Sequence, residues 1–405
     1  ASPGSRGSVS KRTSENVWIQ EFPPLPFREY PATTFILVLI LICFMKITII
    51  TPSLEPHDAV SIDVLEQRKH LLGVRYQVEI FSEFCHDSIR PLLATKEHVI
   101  QCLLEPDNLL IYHHSIYWEL GEKIFQLALC SIIMKFHNIS PSFFFEEFDP
   151  LIFRVTQQGR KQTARLINSG KFKWFVGDSQ YNVDELIHCG VNKKQCSVIP
   201  PFNLLQDFEN TAPATKIEKT LKEFDYVNLL FVGRIVPNKG HLHLIRTLNS
   251  YVNFYGTNVR LHLVGEINPR LGKYYQLLEN EINKYKLGEL IIIHQKVDLK
   301  TLHTLYQSAD VFLLLSEHEG FCVPILEAQY HHLPIIAWDQ CAVGETLGKG
   351  GLLFQDCDYD AFAVAIHRLT SDKELKHHLI QNGIKNLKQY HKSIILKKTL
   401  TTLDI

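Results

Sequence analysis

Residues 229–245 read LLFVGRIVPNKGHLHLI. An apolar run of strand character ends at Gly233, a loop carries Arg234 and Lys239, and a helical pattern opens near Gly240. Helix N-termini present unpaired N–H groups and the positive end of the helix dipole, so a strand–loop–helix junction bearing two cations is well made for a diphosphate. Taken alone, the same residues also fit a solvated basic loop. Around this stretch, the runs VNLLFVG, VRLHLVG, LIIIHQK, VFLLLSE and PIIAWD alternate with helical segments such as HLHLIRTLNSYVNFY and LKTLHTLYQSA. Short apolar strands alternating with helices predict a parallel α/β unit.

The preceding half repeats the alternation. KITIITP, YQVEIFSE, NLLIYHH, IIMKFHN, KWFVGDS and CSVIPPF read as strands, with SIDVLEQRKHLLGV as the helix behind the first. Ligands of open α/β sheets sit at the carboxyl ends of strands, which places the strand-end residues His113, His114 and His137 near a cleft. Between the halves, NLLQDFENTAPATKIEKTLKEFD has a polar, Pro-interrupted start and a short charged helix, as an interdomain connection would.

A chain of 405 residues, 45% of them hydrophobic, is large enough for two domains. With 42 Lys and Arg against 43 Asp and Glu, no overall field draws it to nucleic acid, so any phosphate site is local. The nine cysteines form no CxxC pair, and their odd number suits reduced thiols and a cytoplasmic location. No HExxH or other metal spacing occurs among the histidines, and no metal is expected. Residues 1–44 differ in composition, passing from SRGSVSKRTSEN to the apolar run FILVLILICF. That run is too short for a membrane span and lacks a signal-peptide cleavage site. Because the chain opens on Ala1 and Met45 immediately precedes the first strand, two readings stay open: upstream sequence translated in frame, or an amphipathic or inserted membrane anchor.

Residues 308–339, SADVFLLLSEHEGFCVPILEAQYHHLPIIAWD, complete the pattern. After the strand VFLLLS comes the loop EHEGFCVP, with Glu319 in the loop and Glu327 on the short helix that follows, both able to face one strand-end cleft. Carboxylates accept hydrogen bonds from vicinal sugar hydroxyls, and Gly320, Phe321 and Cys322 can present backbone N–H groups beside them.

GRIVPNKG followed by EGFCVPILE closely resembles the paired signature of the retaining glycosyltransferases of family 4, and the likeness runs from Val227 to Phe354 through SADVFLLLS, LPIIAWD and GGLLF. The resemblance implies a GT-B architecture, two Rossmann-like domains facing across a cleft. It further implies that Arg234 and Lys239 grip the diphosphate of a UDP- or GDP-sugar, that Glu319 contacts the transferred sugar, and that Glu327 contacts the ribose. The N-terminal half resembles the family more loosely. In KITIITPSLEPHDAVSIDVL the usual Gly-Gly of the first loop is replaced by His57, Asp58 and Ala59, leaving Asp58 as a candidate cleft residue. IIMKFHNISP resembles the segment whose strand-end histidine lies beside the reacting carbon, a role His137 inherits, and NLLIYHHSIY is similar to a segment whose histidines face the cleft. The run SFFFEEF after His137 is open to three readings: a cover for an acceptor channel, a lipid contact, or core.

The expected organisation is therefore an extension over 1–44, an acceptor domain over 45–205, a linker over 206–225, a donor domain over 226–385, and a last helix over 386–405 that crosses back to the first domain. The implied activity is retaining transfer of a sugar from a nucleotide-sugar co-substrate, with no other cofactor, to a saccharide or lipid-linked acceptor in cell-surface polysaccharide or glycolipid synthesis, with peripheral contact at the inner face of the membrane. An NAD-dependent dehydrogenase lacks its GxGxxG after any predicted strand. A degenerate transferase that only binds a nucleotide sugar is the alternative from another class, encouraged by the altered first loop.

Overall fold

The computed structural model describes residues 45–214, 218, 221 and 226–403. The extension 1–44, with its membrane-anchor reading, and most of the charged helix expected in the connection lie outside the described residues. The N-terminal half is a six-stranded parallel sheet of β1 Lys46–Leu54, β2 Gln77–Cys85, β3 Leu109–His114, β4 Ser131–Phe136, β5 Phe172–Gly177 and β6 Cys196–Val198, in the order β2-β1-β3-β4-β5-β6. β3 is buried at all six positions, as expected of a central parallel strand covered by helices on both faces. The helices flanking it are capped by local chemistry. Asp58 accepts from the Ser61 amide at the start of Ala59–Gly73, and Asp149 accepts from the amides of Leu151 and Ile152 ahead of Pro150–Asn168, with Pro150 preset for the first turn.

The C-terminal half is a second parallel sheet, built from β7 Val227–Val232, β8 Val259–Val264, β9 Ile291–His294, β10 Val311–Leu314, β11 Ile335–Trp338 and β12 Gly351–Phe354. Its order is β12-β11-β10-β7-β8-β9. β12, within the GGLLF segment, adds a sixth strand to the five that apolar runs predict; it pairs with β11 from Ile335↔Gly351 onward. The strand order reverses between β7 and β10, which pair directly, and the loops leaving their carboxyl ends are residues 233–240 and 315–322. Such a reversal opens the crevice in which doubly wound sheets bind ligands, so topology alone sets the two sequence signatures side by side.

The halves meet at several places. Helix Lys392–Leu403 returns to pack on helix Ala59–Gly73, where the Lys392 ammonium donates to Glu66 Oε2 at 2.8 Å. Asn203 Nδ2 donates to the Tyr390 carbonyl. The aromatic run after His137 is core: Phe145 is buried within the hydrophobic cluster of the C-terminal half, and Phe148 meets Tyr274 edge-on. Phe143 alone of the three consecutive phenylalanines is largely exposed. Among the described residues no helix is long and apolar enough to cross a membrane.

Candidate functional site

In the C-terminal half the chain after β7 turns at Gly240, whose φ of 70° is left-handed and whose missing side chain admits the Leu315 carbonyl. Asn238 fastens this turn to the loop after β10: its carbonyl accepts from the amides of Glu317 and His318, and its side-chain amide donates to the His318 carbonyl. The clamp brings Lys239 Nζ to 2.7 Å from each oxygen of Glu319. Arg234, at the mouth of the same loop, is exposed, and its guanidinium makes no hydrogen bond or ion pair among the described residues. The amides of Gly320, Phe321 and Cys322 likewise have no partner among the described residues, and Cys322 itself takes a left-handed φ of 76° to open helix Val323–Tyr330. Free amides at a helix N-terminus, with cationic side chains on the facing loop, are groups suited to an anion.

One helix turn further on, Glu327 Oε2 accepts from the Tyr306 hydroxyl at 2.7 Å. Burial raises the Glu327 carboxyl above its ordinary range even though Tyr306 pulls the other way. Its second oxygen has no hydrogen bond among the described residues. The Cys322 thiol is driven up by burial and is a packed side chain rather than a nucleophile.

The N-terminal half contributes a buried cluster at the ends of β3, β4 and β5. His137 Nδ1 lies 2.7 Å from Asp178 Oδ2, and His137 Nε2 lies 2.8 Å from His113 Nδ1. The far nitrogen of His113 reaches Gln67 Oε1 at 3.0 Å. Lys135 Nζ donates to the Ile199 carbonyl and stands 3.4 Å from both Asp63 Oδ2 and Asp178 Oδ1. Burial, reinforced by the charges of His137 and Lys135, holds His113 neutral. Burial also acts on Asp178, but His137 and Lys135 outweigh it and keep that carboxyl below the usual range. On Asp63 burial is the stronger influence and pushes the carboxyl up. Asp63, His113 and His137 also offer ligand atoms close enough together for a metal ion, a grouping the sequence spacing did not reveal. The Lys135 ammonium already supplies a cation beside Asp63.

The two sides touch at Gly320. Its carbonyl accepts from Ser179 Oγ at 2.8 Å, and a side chain there would lie 2.9 Å from Asn138 Cβ and 3.0 Å from the His137 carbonyl. Beside it, the Gln180 amide at the start of helix Gln180–His188 donates to the Glu345 carboxylate at 2.7 Å. Asn138 holds the turn after His137 with a left-handed φ of 68°, its amide bonded to Asn182, so its side chain is structural.

The structure thus gathers Arg234, Lys239, Glu319, Gly320, Phe321, Cys322 and Glu327 on the loops and helix that follow β7 and β10, with the His137 backbone against Gly320 and His113 buried behind the His137 ring. One candidate lies elsewhere, and another has a structural task. His114 is a correction: consecutive strand residues point to opposite faces, and its ring is buried beneath helix Pro150–Asn168 on Thr163 Oγ1, away from the cleft. Asp58 spends its carboxylate on capping Ser61. Sequence reasoning did not single out Asp63, Gln67, Lys135, Asp178, Tyr306 or Glu345. For Asp63 and Gln67 a signal existed, since both are polar residues on the buried face of helix Ala59–Gly73 beside Val64 and Leu71.

Residues 214–386 match the family model described as glycosyl transferases group 1. The capsular polysaccharide biosynthesis glycosyltransferase CapM of Staphylococcus aureus is 25% identical over 43% of this chain and 44% of its own length. The amylovoran biosynthesis glycosyltransferase AmsD of Erwinia amylovora is 28% identical over 45% of this chain and 51% of its own. The chain spans about half the length of the curated relatives it matches. Among solved structures, Anabaena HepE in complex with UDP and glucose superposes with a TM-score of 0.68 at 19% identity, covering 89% of this chain and 99% of HepE. The likeness shows the fold, which is GT-B: two Rossmann-like domains facing across a cleft.

Proposed function

We propose that the chain is a retaining glycosyltransferase that moves a sugar from a nucleotide diphosphate to a saccharide or lipid-linked acceptor in polysaccharide or glycolipid synthesis at the inner face of a membrane. The observation that carries this reading is the Lys239–Glu319 pair, set beside the unpartnered Arg234 and three unpartnered amides at the sheet's reversal point. The polysaccharide-synthesis names of CapM and AmsD and the UDP bound to HepE support the substrate class.

In this reading Arg234, Lys239 and the free amides hold the diphosphate, Glu319 receives hydroxyls of the transferred sugar, and Glu327 takes a ribose hydroxyl. Preorganised donors aimed at the leaving group supply the catalytic stabilisation. The acceptor hydroxyl attacks from the face the diphosphate leaves: its oxygen bonds to the anomeric carbon as the carbon–phosphate-oxygen bond breaks, and its proton passes to the departing phosphate oxygen. His137 stands on the acceptor side, next to the reacting carbon. UDP-glucose and GDP-mannose are to be tested for thermal stabilisation and for release of free nucleotide with and without acceptors. A donor that stabilises the fold and is turned over is expected. A donor that binds and is never turned over would favour the nucleotide-sugar-binding alternative, and no stabilisation by either would overturn the donor site.

A further inference from the structure

Residues 373–403 hold seven lysines and three histidines against one acid, Glu374, in a chain whose total charge is −1. They form helices Lys373–Leu387 and Lys392–Leu403, joined through the turn Lys388–Tyr390. The inward faces bury Leu379 and Gly383 on the first helix, and Ile395 and Thr399 on the second. On the outer faces Lys385, Lys388, Lys397 and Lys398 are exposed, and their ammonium groups make no hydrogen bond or ion pair among the described residues. Lys392 differs, because it turns inward to Glu66. Glu66 also takes Lys69, so this acid is engaged by two lysines and leaves the outer charges unbalanced.

A run of surface lysines is ordinarily a solvated face. Lys385 and Lys388 do complement the carboxyl end of their helix, but Lys397 and Lys398 lie mid-helix, where no dipole end favours them. Soluble surfaces intersperse both signs, whereas these four charges fall within a stretch of about 20 Å at the helical rise, with no acid between them. The composition of the patch also selects among anionic partners. Arginine, which grips phosphates and base edges with paired hydrogen bonds, does not occur in 373–403, and the one tyrosine, Tyr390, is buried and offers no ring to a base. Lysine is a point charge on a flexible apolar stem, suited to the diffuse field of a lipid surface. Between the lysines Ile394 is 40% exposed, an apolar side chain that a headgroup layer can bury.

We propose that the outer face of helices Lys373–Leu387 and Lys392–Leu403 is a docking surface for an anionic lipid bilayer, with Lys385, Lys388, Lys397 and Lys398 on the headgroups and Ile394 among them. This gives the membrane contact of the proposed function a location, and rests on that reading only for its purpose. The first helix packs on Val323–Tyr330, the helix that carries Glu327, and the second on Ala59–Gly73. A bilayer bound here therefore engages elements anchored to both halves of the molecule.

The test is sedimentation of the full chain with vesicles of phosphatidylcholine alone, or of equal parts phosphatidylcholine and phosphatidylglycerol. Binding to the second only is expected, falling steeply as salt rises from about 0.1 M to about 1 M and the screening length shrinks from about 10 Å to about 3 Å. Each lysine near an anionic surface contributes about fivefold, so changing Lys385, Lys388, Lys397 and Lys398 together to Gln should lower partitioning by roughly a hundredfold or more. Changing the exposed Lys161, Lys193, Lys194 and Lys273 to Gln removes the same charge elsewhere and should lower it by no more than about fivefold. Both variants should melt with the wild type; should the first fail to fold, Lys397→Gln with Lys398→Gln alone decides, with an expected loss of about twenty-five-fold. No binding by the wild type, equal binding to both vesicles, or equal losses in the two variants would overturn the proposal. So would retention of duplex DNA as tight as that of the anionic vesicle, which would assign the patch to nucleic acid. A wild type that binds the anionic vesicle but turns over no donor would end the transferase reading and leave this surface standing.

Discussion

Lys239→Ala and Glu319→Ala remove the two halves of one ion pair, yet the structure assigns them unequal consequences. The Glu319 side chain is 6% exposed and that of Lys239 is 19% exposed. Removing the lysine strands a buried carboxylate, and breaking a buried pair this way costs about 3 kcal/mol at the lower end of the usual range, appropriate to a partner that still touches water. Removing the glutamate leaves a flexible ammonium able to swing into solvent, so the loss is about 1 kcal/mol. At about 2–4 °C of melting temperature per kcal/mol, Lys239→Ala is expected to lower Tm by roughly 6–12 °C and Glu319→Ala by roughly 2–4 °C. Ligand affinity separates them further. Lys239→Ala should weaken UDP and UDP-glucose alike, by about tenfold to a hundredfold for a lost charge-assisted phosphate contact. Glu319→Ala frees the ammonium, so UDP binding should hold while the extra affinity contributed by the glucose disappears. Calorimetric melting and titration with both ligands on the two single mutants and the double mutant measure the coupling directly. A Glu319→Ala protein destabilised as much as Lys239→Ala, or a Lys239→Ala protein that binds UDP like wild type, would refute the clamp as argued.

Two further outcomes follow from neighbouring contacts. Glu327→Ala should weaken UDP about twofold to tenfold but leave a dideoxyribose analogue unaffected, with Tyr306→Phe showing a smaller loss of the same kind because it releases the carboxylate's orientation; equal weakening of both ligands would remove Glu327 from the ribose. Burial works against the charged form of Glu66, but hydrogen bonds from His70, Lys392 and Lys69 bring its pKa from 4.5 to about 2. Because the folded value is the lower one, the resulting stability is present above about pH 4.5 and is lost as pH falls toward about 2. Lys392→Met should therefore move the acid-unfolding midpoint upward, and a midpoint identical to wild type would show that the returning helix is not held through this pair.

Most of the fold was legible because each buried parallel strand is a short apolar run, and those runs stand apart from the helices between them. β12 was not, since its four residues begin at a glycine and all are only half-buried, so composition carries little signal. The proposed donor side of the site was legible for a different reason: Arg234 and Lys239 lie on one loop and Glu319 to Glu327 on the loop and helix after β10, and the β7–β10 reversal brings these segments together without further instruction. The proposed acceptor side draws Asp63 and Gln67 from a helix, His113, Lys135 and His137 from the ends of two strands, and Asp178 from a third. No local spacing encodes such an assembly. The histidines were visible as strand ends, but strand alternation, which sends His113 and His114 to opposite faces, was the physical rule needed to choose between them.

The run SFFFEEF joins these two sides mechanically. It begins a few residues after His137, and Phe145 is 5% exposed within the C-terminal half's core, in the company of Ile235 and Val236 from the loop that carries Arg234 and Lys239. Phe144 faces His318, the residue before Glu319, and burial lowers that imidazole's pKa to about 4, so it packs as a neutral ring. The strand end that carries His137 is therefore tied to the loops after β7 and β10 by apolar packing, while Ser179 and Gln180 tie the next strand end to Gly320 and Glu345 by hydrogen bonds exchangeable with water. Opening the cleft by breaking the second set costs little, because each protein hydrogen bond is replaced by one to solvent. Opening it by withdrawing the phenylalanines exposes apolar surface worth about 25 cal/mol for each square ångström. The economical motion leaves the aromatic segment seated and opens the Ser179–Gly320 side, so in the proposed transferase that edge is where the donor would enter while His137 stays registered against the loop after β7.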